Sequence, residues 1–126
     1  MVRSDARRLA LRRFARDFER GSYWDAHEHL EVLWREERLD LWQALIQIAA
    51  TFVLLGSGRP GGARAVLGRA RARLATLPGS LHGVDIGWVR RQCDALDTML
   101  AEPGAPPTLQ AEKLFEALAR ALGLKR

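Results

Sequence analysis

Apolar residues recur every three or four positions through almost the whole chain, and almost nowhere do they alternate with period two over four or more residues. The first pattern is typical of amphipathic helices and the second of strands. Turn-forming residues divide the chain into helical segments, predicted at about 5–19, 23–36, 40–55, 60–77, 85–100 and 108–122. The sequence therefore predicts an all-α protein, a bundle of five to six antiparallel helices.

The third predicted helix is apolar on nearly every side, which is typical of a helix with neighbours all round it. No Gly or Pro separates it from the second predicted helix. At about 100° per residue, however, the apolar stripes of the two segments are out of phase by roughly a quarter turn. We therefore expect a break near 36–39 and a third helix at the centre of the bundle.

A chain of 126 residues fits a single domain. We expect its core at about 5–100, a Pro-rich spacer at 101–107 and a C-terminal helix at 108–122. This last helix presents Leu114, Phe115, Leu118 and Leu122 on one side. Because so short a helix is marginal alone in water, we expect it to dock on the body of the protein or on a second subunit.

The single cysteine, Cys93, excludes an intramolecular disulfide and a four-cysteine or Cys/His zinc module. It lies on an apolar helix face, which predicts a buried thiol. The basic N-terminus lacks the apolar region and cleavage site of a secretory signal, and no apolar run reaches the roughly 20 residues that span a bilayer. We expect a cytoplasmic protein without a membrane partner.

The net charge of +5 and the pI near 10.6 raise the question of nucleic-acid binding. Lys113 and Lys125 are the only lysines, so nearly all the positive charge is arginine, as a GC-rich codon bias also produces. The sequence contains no recognition module, and its arginines are not interleaved with the aromatic residues that single-strand binders use. We do not expect nucleic-acid binding.

Polar residues crowd the second predicted helix, in the stretch YWDAHEHLEVLW. His27 and Glu31 are one turn apart, and both lie within about 100° of the centre of the apolar stripe. They should face inward or nearly so. Glu28 lies toward the flank of the helix, and His29 is predicted on the solvent side.

Two glutamines, Gln43 and Gln47, form a second polar stripe on the third predicted helix. Buried amides need hydrogen-bond partners. We therefore predict that this stripe meets the polar pair of the second helix in a shared hydrogen-bonded network. Trp24 and Trp34 would form its walls.

Two interpretations of this network remain open. It can be a satisfied core cluster, in which His27 binds Glu31 or a backbone carbonyl and fixes the register between helices. It can instead be a small-molecule or metal pocket, with His27 as ligand or acid/base and Glu31 or Glu28 as ligand or base. His27 and Glu31 could share a divalent cation, but two ligands are too few to hold it.

These motifs resemble domain-of-unknown-function family 309, a family of small helical proteins, over about residues 14–100. The first family pattern is an aromatic-acid-Ala-His-Glu run with flanking residues, and the second a Gln, a small residue, Leu-Ile-Gln and Ala. They are matched by Phe18, Gly21, Trp24, Asp25, Ala26, His27, Glu28, Glu31 and Trp34, and by Gln43, Ala44, Leu45, Ile46, Gln47 and Ala49. Two shorter matches are Gly62-Ala63 and Gly83-Val84-Asp85.

The resemblance implies a helical bundle, and members have been labelled predicted metal-dependent hydrolases without a defined substrate. Many members have a histidine one heptad after the second glutamine, a position occupied here by Leu54. Without that histidine, the remaining candidate ligands are His27, Glu28, Glu31 and Gln47, which suit a hard divalent cation better than zinc. Whether the protein is an enzyme stays open.

The alternative to a ligand or metal pocket is a non-enzymatic protein-interaction module or a homo-oligomer. The apolar C-terminal helix at 108–122 motivates this alternative, because such a surface can bind a partner protein or a second copy of the chain.

Overall fold

A computed structural model describes residues 4–102 of the chain and confirms the all-α prediction. Its helices are α1 (Ser4–Glu19), α2 (Tyr23–Glu37), α3 (Asp40–Gly56), α4 (Pro60–Leu74) and α5 (Ile86–Ala101). Short connections join the first four helices, so each packs against the next as in an antiparallel bundle. None of the described helices is long and apolar enough to cross a membrane.

The third helix is the centre of the bundle, as its composition predicted. It packs against both α2 and α4. Of the described helices, α3 has the most buried residues: Leu41, Trp42, Ala44, Leu45, Ile48, Ala49, Thr51, Phe52 and Leu55. At about 100° per residue these side chains cover about half of the helix circumference, and on the other half Ile46 and Leu54 are partly buried against the core.

The predicted break between the second and third helices lies at Arg38 and Leu39. Arg38 adopts the left-handed conformation, with φ of 53°, and its N–H donates to the carbonyl of Trp34 at 2.9 Å. Leu39 is extended. The chain therefore turns within two residues, although neither glycine nor proline is present.

Four aromatic rings join the first three helices around the end of α1. The ring of Phe18 lies 5.7 Å from that of Phe14, 5.0 Å from that of Tyr23 and 4.9 Å from that of Phe52. Tyr23 and Phe52 are themselves 5.0 Å apart. This cluster holds the start of α2 against the last part of α3.

A small hairpin links α4 to α5 where the sequence predicted the end of a helix and a loop. Strand β1 (Ser80–Leu81) pairs antiparallel with β2 (Val84–Asp85). His82 and Gly83 form the two-residue turn with φ of 50° and 79°, the positive values that such turns require. The fourth helix accordingly ends at Leu74 and not at the predicted 77.

The predicted C-terminal helix at 108–122 lies outside the described residues. So does the predicted spacer at 101–107, except for its first two residues, which end α5 and follow it.

Candidate functional site

The pair predicted from the sequence is formed along the side of α2. The Nε2 atom of His27 lies 3.3 Å from the carboxylate of Glu31, and the other oxygen of this carboxylate accepts from Arg35 at 3.2 Å. The His27 side chain is 15% exposed and that of Glu31 is 38% exposed. The three side chains thus form a ladder with one-turn steps at the boundary between core and solvent.

The other imidazole nitrogen of His27 contacts the backbone carbonyl of Trp24. Its ring also packs against the Trp24 ring, with 4.6 Å between centroids. A carbonyl and a carboxylate both accept hydrogen bonds, so an imidazolium can donate to both at once, whereas a neutral ring can donate to one. Both nitrogens of His27 therefore face hydrogen-bond acceptors on its own helix.

Trp24 does not form the wall of an enclosed pocket, because its side chain points outward and the residue is 64% exposed. An open hollow of about 350 Å³ lies beside it. Its lining consists of the start of α2 and the end of α3: Gly21, Ser22, Tyr23, Trp24, Asp25, Phe52, Val53 and Gly56.

The two glutamines do not meet the His27/Glu31 pair. Both are half-buried on α3, and no hydrogen bond within residues 4–102 joins either of them to His27 or Glu31. The side-chain oxygen of Gln47 is buried without a hydrogen-bond partner. At about 100° per residue, the glutamine stripe is more than a third of a turn from Phe52, one of the residues of α3 that contact α2.

Trp34 lies at the other end of α2, among cations. The guanidinium of Arg38 is 5.1 Å from its ring centroid and that of Arg73 is 5.5 Å from it. Arg73 also donates to Asp40 at 2.6 Å. Trp34 thus helps to join α2, α3 and α4 and is not next to His27.

Glu28 and His29, the other candidate and its neighbour on α2, lie in different environments. Glu28 is exposed on α2. His29, predicted on the solvent side, instead binds the Asp17 carboxylate of α1 at 2.7 Å, and its side chain is 29% exposed. The prediction for His29 was wrong because α1 packs along that side of α2, which the apolar stripe of α2 does not reveal.

Sequence reasoning missed a polar cluster at the opposite end of the α1/α2 pair. The Glu37 carboxylate accepts from Arg7 of α1 at 2.5 and 3.1 Å and from the indole N–H of the fully buried Trp42 at 3.0 Å. The Arg7 hydrogen bond lowers the pKa of Glu37, partly offset by burial, which raises it. The ring of His82 stacks on that of Trp42 at 5.8 Å.

No local pattern could have revealed this cluster, because Arg7 and Glu37 are 30 residues apart in the sequence.

The donor set does not fit the metal that the family label implies. Among residues 4–102, no three His, Cys, Asp or Glu side chains are grouped so that they could hold a metal ion. Both nitrogens of His27 have partners on α2, and Glu28 points away into solvent. Cys93 is buried on α5, and burial raises the pKa of its thiol to about 12.

Comparison with known families gave one match. Residues 11–66 match the model of a domain of unknown function, DUF309. Both motifs and the Gly62-Ala63 step lie in this segment, while Gly83-Val84-Asp85 lies beyond it. Neither the curated proteins nor the solved structures that were compared gave a match. The segment from 11 to 66, which runs from the middle of α1 through α2 and α3 to the middle of α4, belongs to the DUF309 family.

Proposed function

We propose that the protein is a non-enzymatic binding module that presents Trp24 on the outer side of α2 to a protein partner. The exposure of this ring supports the proposal. Trp24 is 64% exposed and Val32, two turns along the same helix, is 54% exposed. Tryptophan is enriched among the few residues that dominate the binding energy of protein interfaces.

The ladder on α2 gives the predicted site residues a role in this function. His27 contacts both the ring and the carbonyl of Trp24, Glu31 contacts His27, and Arg35 contacts Glu31. A side chain held in one place before binding loses less conformational entropy when the partner arrives. The imidazole and the carboxylate therefore serve to position an aromatic anchor.

The hollow beside Trp24 also supports the proposal that this surface binds a protein. It offers an apolar recess formed by Tyr23, Phe52 and Val53 next to the exposed ring. Interface hot spots combine an anchor on one partner with a pocket for an anchor of the other. A hydrophobic side chain of the partner would occupy this recess while Trp24 covers it.

Site-specific photo-crosslinking in the native cell tests this proposal. A photoreactive phenylalanine derivative at position 32 should give a defined protein adduct, and the same derivative at Arg69, exposed on α4, serves as the control. Adding Trp24→Ala to the position 32 variant should remove the adduct. An adduct that persists after Trp24→Ala, or none at position 32, would refute the proposal.

A small-molecule site in the hollow is a second candidate, favoured by its volume. About 350 Å³ lies at the lower end of the roughly 300–1,000 Å³ typical of ligand pockets. Val53→Trp would fill the recess without touching the ladder. If this candidate holds, a screened compound that raises the melting temperature of the wild type should not raise that of the filled variant. An equal shift in both would exclude the hollow as its site.

A further inference from the structure

The exposed sides of α1 and α2 have opposite charges. Four arginines follow one another at one-turn spacing along the outside of α1 and directly after it, and we call them the arginine row: Arg8, Arg12, Arg16 and Arg20. On α2, apolar and acidic residues alternate at the same spacing, and we call them the acidic row: Trp24, Glu28, Val32 and Glu36. All eight residues are exposed.

Within residues 4–102, the charged side chains of both rows, the four arginines with Glu28 and Glu36, have no ion-pair partner. The seam between α1 and α2 uses other residues, since Asp17 binds His29 and Arg7 binds Glu37. The two rows therefore lie outside this seam and do not neutralise each other.

The exposed large hydrophobic residues lie on the same two helices. Of the described residues, Leu9, Trp24 and Val32 are the large hydrophobic ones that are exposed, at 45%, 64% and 54%. Leu9 is next to the arginine row and the other two are members of the acidic row. Apolar residues bordered by charged ones are typical of a binding surface.

We propose that the protein partner of α2 is a second copy of this chain, whose arginine row packs against the acidic row. This inference rests on the proposed function and names its partner. Residues four apart form the ridges by which helices interdigitate. The two helices run antiparallel, so Arg16 and Arg8, two turns apart, reach Glu28 and Glu36 of the other copy. Arg20 then lies over Trp24, where a guanidinium binds the face of an indole.

A two-fold axis makes this contact twice. The α1/α2 pair of one copy then meets the α1/α2 pair of the other, so that each arginine row faces an acidic row and the interface closes. The lengths agree, because α1 has 16 residues and α2 has 15, which at about 1.5 Å per residue is about 24 and 22 Å.

The expected dimer is weak. A face about 24 Å long and two helix diameters wide covers roughly 500 Å² per copy, less than the roughly 800 Å² of a standard interface. Exposed ion pairs contribute little each and are screened by salt. Association should therefore depend on protein concentration and weaken as salt is added.

Charge reversal of each row tests the inference by analytical ultracentrifugation of the full chain. One variant combines Arg8→Glu with Arg16→Glu, and the other combines Glu28→Arg with Glu36→Arg. Each should raise the dimer dissociation constant at least about tenfold. Circular dichroism checks that both variants fold. The matched control is Arg59→Glu with Arg69→Glu, which makes the same charge change as the first variant on exposed residues elsewhere and should leave the dimer unchanged.

Mixing the two reversed variants is the decisive step. The reversed α1 of one chain then faces the reversed α2 of the other, and the native rows face each other in the second contact, so a heterodimer should form with nearly wild-type affinity. A wild-type chain that stays monomeric at high concentration and low salt, or a mixture that does not restore association, would overturn the inference. A photo-crosslinked adduct of position 32 with another protein would then leave the proposed function intact.

Discussion

The buried indole N–H of Trp42 allows the strength of one contact to be predicted. Trp42 is fully buried, and its N–H donates to Glu37, whose side chain is 13% exposed. Glu37→Ala removes that acceptor, and a buried donor left without a partner costs about 1–3 kcal/mol. Glu37→Gln keeps an oxygen that can accept from Trp42 but loses the charge that binds Arg7. We expect Glu37→Ala to lower the free energy of unfolding by about 1–3 kcal/mol more than Glu37→Gln does.

Urea unfolding followed by circular dichroism measures this difference. Glu28→Ala and Glu28→Gln are the matched controls, because Glu28 is exposed on the same helix and both changes should stay within about 0.5 kcal/mol of wild type. If Glu37→Ala and Glu37→Gln were equally stable, the indole hydrogen bond would contribute nothing, and our explanation of how α2 and α3 are joined would fail.

The lowered pKa of Glu37 predicts that the free energy of unfolding depends on pH. Because the hydrogen bond from Arg7 lowers the pKa of Glu37 in the folded protein, the ionised form stabilises the fold. This contribution is complete above the ordinary glutamate pKa of about 4.3 and is lost as the pH falls through the lowered value. The stability difference between wild type and Glu37→Gln should therefore be largest near neutral pH and shrink in acid. A difference that grows in acid would contradict the ion pair.

Two further predictions concern the end of the bundle formed by α4 and α5. Arg90 donates to the carbonyl of Leu74 at 2.6 and 2.9 Å and also to that of Leu77. Arg90→Met should therefore lower the free energy of unfolding by about 1.5–3 kcal/mol. A loss below about 0.5 kcal/mol in urea unfolding would refute this role. Cys93 is fully buried, and burial raises the pKa of its thiol to about 12. An alkylating reagent should therefore modify Cys93 in urea but not in the native protein at pH 8. Rapid labelling of the native protein would refute its burial.

The helices could be predicted because their signals are local. Apolar spacing marks where each helix lies, and the phase change between the second and third segments located the break now seen at Arg38 and Leu39. The hairpin at Ser80–Leu81 and Val84–Asp85 was missed because each strand has two residues, too few to show any alternation. Its turn was instead taken as part of a loop.

The site was less predictable because the apolar stripe of a helix does not say which neighbour lies on which side. His29 is at an angle that suggested solvent, and α1 supplies Asp17 at that position. The glutamine stripe was expected to join the His27/Glu31 pair, but within residues 4–102 no hydrogen bond links Gln43 or Gln47 to that pair. Helix phase relates residues to their own helix, whereas tertiary contacts depend on where the next helix packs.

The residues that join α2 to α3 differ from those that position the exposed side of α2. The contact of Tyr23 with Phe52 and the hydrogen bond of Glu37 with Trp42 hold one helix against the other at opposite ends of α2. The ladder that starts at His27 is satisfied within α2 and adds no hydrogen bond to this joint. Because no hydrogen bond between α2 and α3 depends on the ladder, the partner that we propose for this side of α2 would bind without disturbing the core.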